Sequence, residues 1–374
     1  MGIKYNFKKY LKGWDWIMIG AALFLVGLGL LSLYSSSLGK GDFLNFQKQI
    51  VFAGIGFFLL FSVSFFDYRI LKNDPYLIFI LYILCLLGLA GLFLLAPEIR
   101  GVRSWYKVGG ISIDPIEFTK LVLILLLAQY FSLRHVEMYR ISHILFSGLY
   151  VLAPSILIFL QPDLGSVLIL VALWLAILII SGIKFRSFLA LMFCGFLFLG
   201  LGWVSFLKDY QKERITSFVF SQADPLKTGW SQSQAKIAIG SGGVFGQGLG
   251  QGSQTQYGFL PEPQTDFIFS AIAEEFGLAG VAGLLFLFLL LIWRILRIAI
   301  FVRSNFVRLF TFGFSVLLLI QIFINIGMNL GILPVIGISL PLVSYGGSSL
   351  ITTCIGLGII QSIRLRIVFH SFED

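Results

Sequence analysis

The chain of 374 residues is 58% apolar or aromatic and only 12% charged, against roughly a quarter charged in a soluble domain. That composition excludes a water-soluble globular fold and places the chain in a membrane. The net charge of +9 calls for no nucleic-acid partner, because membrane orientation and attraction to anionic lipid headgroups account for it.

In chain order, apolar stretches of about 17 to 25 residues predict ten membrane-spanning helices, at 16–34, 50–66, 76–96, 116–133, 141–160, 164–182, 188–207, 267–293, 309–330 and 347–363. The expected architecture is an all-α integral membrane bundle, a single polytopic domain over residues 1–374 with a large loop at 208–266 between spans seven and eight. An even number of spans leaves both termini on one side. The first span follows Lys4, Lys8, Lys9 and Lys12. It is about twice as long as a signal-peptide core and has no small-residue cleavage site after it, so it reads as a retained anchor.

Sixteen Lys and Arg lie on the side of the N-terminus, whereas the short loops opposite carry only Lys40, Lys48, Arg100, Arg103 and Lys107. That bias puts both termini in the cytoplasm. Cys85, Cys194 and Cys354 fall inside spans and imply neither disulfides nor a metal cluster, and His135, His143 and His370 are too scattered for a histidine metal site.

With this orientation the irregular segments gather outside. "PEIRGVRSWYKVGGISIDPIEFTK" follows span three, "QPDLGS" joins spans five and six, and "LGILPVIGISLPLVSYGGSS" joins spans nine and ten. Such clustering implies a working surface at the outer leaflet.

Asp266, in "FLPEPQTDFIFSAIAEEFG", admits two readings. Thr265 or Asp266 suits a helix cap; equally, a carboxylate among apolar neighbours at the membrane boundary suits a proton acceptor. Glu117 and Lys120 share a helix face three residues apart, either as a self-neutralising pair or as a cation held for a phosphate. Asp163 follows Pro162 as a plausible helix start. Arg100, Arg103 and Lys107, with Trp105 and Tyr106 between them, form a cationic and aromatic cluster suited to an anionic headgroup or to interfacial anchoring. The run "GSGGVFGQGLGQG" fits no nucleotide loop and reads instead as a flexible segment closing over a substrate. "SYGGSS" reads as a small-residue helix contact.

Taken together, "RGVRSWYKVGG…EFTK", "QPDLGS", "QSQAKIAIGSGG", "FLPEPQTDFIFSAIAEEFG" and "NLGILPVIGISLPLVSYGGSS" closely resemble the SEDS family of bacterial cell-wall proteins over essentially the whole chain. "NIGMNLGILP" and "GSQTQYGFLPE" favour the family's elongation members over its division members. The chain departs from the family pattern in "PIEF", where Ile116 replaces a small polar residue, and in "PEPQTDF", where Pro263 and Gln264 replace a pair that is often basic or histidine-containing.

The resemblance implies a peptidoglycan glycosyltransferase of the bacterial cytoplasmic membrane. Its members polymerise lipid II at the outer face with a class B penicillin-binding protein and other elongation-complex membrane proteins as partners. The family's essential aspartate maps onto Asp266, its polar span-four residues onto Glu117 and Lys120, and its QPDLG acid onto Asp163.

On that basis Asp266 is the expected base. Arg103, Glu117, Lys120, Asp163, Lys236 and Glu262 are the expected substrate-binding residues. A divalent cation, Mg or Mn, bridged by Asp266 or Glu117 is a further expectation. The competing classes are a flippase for the lipid-linked precursor, which would hold its substrate near the midplane between repeated halves, and a noncatalytic scaffold.

Overall fold

The computed structural model describes residues 13–97, 105–134, 141–205, 228–302 and 304–370. A helix stands at each predicted apolar stretch. These are α1 (Trp16–Lys40), α2 (Leu44–Phe65), α4 (Pro75–Leu95), α5 (Pro115–Arg134), α6 (Ile141–Leu160), α7 (Leu164–Ile180), α8 (Phe185–Ser205), α11 (Ile268–Phe301), α12 (Asn305–Leu330) and α13 (Gly347–His370). Three short helices accompany them: α3 (Tyr68–Asn73), α9 (Thr228–Ser241) and α10 (Ser253–Gln256).

Eight of the helices are long and apolar enough to cross a membrane. At 17 residues, α7 reaches about 26 Å at 1.5 Å per residue, short of the roughly 30 Å hydrocarbon core. α8 runs 21 residues, Phe185–Ser205. Among the described residues, eight spans therefore stand on length and composition.

The centre of the bundle is set by small residues. α13 packs most extensively on α2. There, a Cβ on Gly56 would meet Leu350 at 2.9 Å, one on Gly347 would meet the Phe52 ring at 2.7 Å, and one on Gly358 would meet the Leu60 carbonyl at 2.8 Å. With no hydrophobic force between helices in lipid, this close backbone approach is what dispersion needs to hold the pair. The packing role read for "SYGGSS" is thus visible at Gly347. α5 and α13 are each 72% buried over their most apolar window, whereas α4 is 22% buried and faces outward.

At the end of the bundle that carries the N-terminus of α1, Asp15 caps α1 by accepting the Met18 N–H at 3.1 Å. It also takes Arg294 Nη2 of α11 at 2.6 Å and pairs with Arg364 of α13. Two of the cations counted for orientation thereby hold three helices to one buried carboxylate.

At the opposite end α11 is interrupted. Gly277 adopts φ 64 and ψ −162, which takes neighbouring backbone groups out of the helical ladder. The glycine-rich run uses them. Gln247 and Gly248 donate to the carbonyls of Glu274 and Glu275 at 2.9 and 3.1 Å, and Leu278 and Ala279 donate to those of Gly243 and Val244 at 2.9 and 3.0 Å. A Cβ on Gly242 or Gly246 would overlap the α11 backbone. The close approach these glycines permit is made to α11, and not to a substrate as the sequence suggests.

Candidate active site

Three helix N-termini converge on one cavity of about 400 Å³, lined by Asp114, Glu117 and Lys120 at the start of α5, Pro162, Asp163 and Ser166 at the start of α7, and Gly346 to Ser349 at the start of α13. Thr265 and the segment 336–339 complete the wall.

Each terminus follows from local chemistry. Pro115 opens α5 where its missing N–H is no loss, and Asp114 accepts the Ile116 N–H at 2.9 Å. Glu117 and Lys120 then fall on one face, and Lys120 Nζ meets Glu117 Oε1 at 2.8 Å. The pairing expected from i,i+3 spacing is formed, with Lys120 only 1% exposed. Asp163 caps α7 as its position suggests, taking the Ser166 N–H at 3.0 Å and the Ser166 hydroxyl at 2.7 Å.

Residues 106–113 form a hairpin, β1 (Tyr106–Val108) antiparallel to β2 (Ile111–Ile113), turning through Gly109 and Gly110 at φ 57 and 81. It is fastened from both sides: Tyr106 Oη donates to the Gly88 carbonyl at 2.6 Å and Lys48 Nζ to the Gly110 carbonyl at 2.7 Å. Trp105 and Ser112 reach the cavity wall. Lys107, across the ladder from Ser112, is exposed and is not part of that wall. Arg100 and Arg103 lie outside the described residues.

Asp266 stands beside Gly337 of the wall, where a Cβ on Gly337 would lie 3.8 Å from its Oδ2. The helix-cap reading is corrected: the N-cap of α11 is Phe267, which makes no side-chain cap bond. The main chain of Asp266 is held by side chains of α12. Its carbonyl accepts the Asn325 and Asn329 side-chain amides at 3.1 and 2.9 Å, and Asn325 also donates to the Ile338 carbonyl at 2.8 Å. One residue earlier the Thr265 carbonyl accepts the Ser344 hydroxyl at 2.7 Å. Tyr345 N–H donates to the Gln264 carbonyl at 2.8 Å, and Asn45 donates to Gln264 Oε1 at 2.7 Å.

Two expected binding residues lie elsewhere. Lys236 is exposed on α9 and packs its ammonium end toward Gly331, whose Cβ would lie 3.1 Å from it. Glu262 is exposed at φ 43, and its carbonyl accepts the N–H groups of Thr265 and Phe267 at 3.2 and 3.3 Å. Neither lines the cavity. The side chain brought in unannounced is Asp114, whose Asp-Pro start to a helix carrying Glu and Lys was the available signal. Burial, and then the neighbouring Glu117 charge, push its carboxyl up to about 8, against the smaller pull of Lys120. Asn325 and Asn329 were the other omission; asparagines four apart inside a span are a signal in themselves.

Among the described residues, no three His, Cys, Asp or Glu side chains are placed to share a metal ion. The expected divalent cation therefore has no three-ligand set in this part of the chain.

Such a site, at one end of a bundle of apolar helices, defines a multi-pass membrane protein with an acidic and cationic cleft at the helix N-termini. The sequence matches the FtsW, RodA and SpoVE family, described as cell cycle proteins, over residues 15–367, and the chain belongs to that family. It is 34% identical over 356 residues to the peptidoglycan glycosyltransferase MrdB of Escherichia coli (strain K12), covering 94% of this chain and 95% of that one. To the peptidoglycan glycosyltransferase RodA of Treponema pallidum (strain Nichols) it is 32% identical, covering 94% and 98%. The fold is similar to that of a chain from a structure on the coordination of polymerization and crosslinking by a peptidoglycan synthase complex, with TM-score 0.81, 33% identity and coverage of 94% and 97%. The crystal structure of the rod shape determining protein RodA of Thermus thermophilus superimposes with TM-score 0.70 at 32% identity, covering 94% and 96%.

Proposed function

We propose that the chain is the peptidoglycan glycosyltransferase of cell elongation, joining lipid II molecules into glycan strands at the outer face of the membrane and releasing undecaprenyl pyrophosphate. The observation that carries this reading is the shared cavity of Glu117, Lys120 and Asp163, with Asp266 beside the lining Gly337.

The acceptor hydroxyl oxygen attacks the anomeric carbon, and the bond from that carbon to the diphosphate oxygen breaks with its electron pair leaving on the diphosphate. Asp266 takes the hydroxyl proton. Lys120, held by Glu117, stabilises the charge that develops on the diphosphate. A diphosphate leaves without being protonated, so the two-carboxylate arrangement of glycoside hydrolysis is not required. Arg103 is a further candidate cation for the same leaving group.

The peptidoglycan synthase complex that contains one structural relative supports a crosslinking partner for this chain, which we identify as a class B penicillin-binding protein. A flippase is disfavoured because the polar, irregular segments gather at one end of the helices and the sequence shows no clear repeated halves. Polymerisation of lipid II by purified protein tests the reading. Wild type forms glycan polymer, and Asp266→Asn lowers the rate by at least about 100-fold, the scale of a lost general base. Full-rate polymer from the variant overturns the assignment of Asp266, and lipid movement without polymer identifies a flippase.

A further inference from the structure

Three carboxylates and one ammonium share the cavity wall: Asp114, Glu117, Asp163 and Lys120. Their partners differ. Glu117 is paired with Lys120 at 2.8 Å, and Asp163 spends both oxygens on Ser166. Asp114 uses Oδ1 on the Ile116 N–H, and its Oδ2 has no hydrogen-bond partner among the described residues. The main-chain N–H of Asp114 donates to Ser348 Oγ at 2.8 Å, which ties the start of α5 to the start of α13 at the cavity wall.

Were all four groups ionised, three negative charges against one positive would face an incoming diphosphate, a like-charge arrangement that costs binding energy. The conflict is resolved if one acid is neutral, and a neutral acid is also a donor. We propose that Asp114 is a substrate-contacting residue that works as a neutral carboxylic acid, donating a hydrogen bond from its free oxygen to the diphosphate of the bound lipid-linked sugar. The inference rests on the glycosyltransferase reading and adds a residue to its binding machinery.

The surroundings support the neutral form. From α5 the group meets Glu117 and Lys120, and from α7 it meets Asp163. Asp266 lies beside Gly337, the first turn of α13 carries no acid, and Lys107 on the hairpin stands off the wall. Burial is the largest influence and raises the carboxyl to about 8. It is therefore protonated at neutral pH, and the donor is lost as pH rises through that value.

The test measures kcat/KM for lipid II polymerisation with purified full-length wild type, Asp114→Asn and Asp114→Ala from about pH 6 to about pH 9. The ratio of Asp114→Asn to wild type is expected to rise several-fold above about pH 8, because an amide keeps its donor where the acid loses it. Asp114→Ala is expected to raise KM about tenfold at neutral pH with a smaller effect on kcat, the scale of one lost hydrogen bond to a charged group. A ratio that stays flat across the pH range, or an Asp114→Ala variant with unchanged KM, overturns the proposal. Failure of wild type itself to make polymer overturns the glycosyltransferase reading, so the two failures are distinguishable.

Discussion

Asn329 donates its side-chain amide to the main-chain carbonyl of Asp266 at 2.9 Å and accepts the Ser270 N–H and hydroxyl on Oδ1 at 3.1 and 2.6 Å. One buried side chain on α12 therefore fixes both the loop that carries Asp266 and the first turn of α11. Asn325, one turn away on the same face, joins the same carbonyl to that of Ile338 on the cavity wall. These two amides fix the main chain that carries the proposed base.

Asn329→Ala leaves two Ser270 donors and part of the Asp266 carbonyl unsatisfied, at about 1–3 kcal/mol for each stranded group. Displacement of the carboxylate by about 1 Å costs on the order of 100-fold in rate. The variant is expected to lose roughly 10- to 100-fold in kcat with little change in KM. Steady-state lipid II assays alongside thermal unfolding check this; a normal kcat in a protein of lowered stability would assign Asn329 to the fold alone.

The Glu117–Lys120 pair predicts an asymmetry. Removing Glu117 alone strands an ammonium that is 1% exposed, at about 3–5 kcal/mol for a broken buried pair. Replacing both partners by apolar groups removes the stranded charge. Thermal unfolding in detergent should therefore rank Glu117→Ala below the double variant Glu117→Ala, Lys120→Met in stability, while both lose polymerisation. Equal unfolding temperatures would show that Lys120 finds another partner when Glu117 is gone.

At Gly277 backbone conformation and space agree. Its φ of 64 is unfavourable for a side chain, and a Cβ would lie 2.6 Å from the Val244 carbonyl. Gly277→Ala is expected to cost at least about 2 kcal/mol, combining about 1–3 kcal/mol for a backbone conformation essentially reserved for glycine with the clash. The readout is a lowered unfolding temperature and loss of folded protein on extraction. Unchanged stability would mean that the α11 interruption straightens freely.

Sequence alone determined what depends on near neighbours. Apolar length identified the membrane class and the stretches that become helices, Glu117 and Lys120 announced their pairing by spacing, and "PDLGS" announced the Asp163 cap. Only the tertiary structure decided which helix ends meet. It placed Asp114 on the cavity wall with Glu117, Lys120 and Asp163, left Lys236 and Glu262 off it, and set Asp266 beside Gly337, its carbonyl bonded by amides 59 and 63 residues away. It also turned the glycine run onto the interrupted α11. The physical reason is that helix formation in lipid is a local requirement of the backbone. The pairing of helices rests on small-residue contacts and single polar bonds spread over long separations, and these leave no periodic trace in the chain.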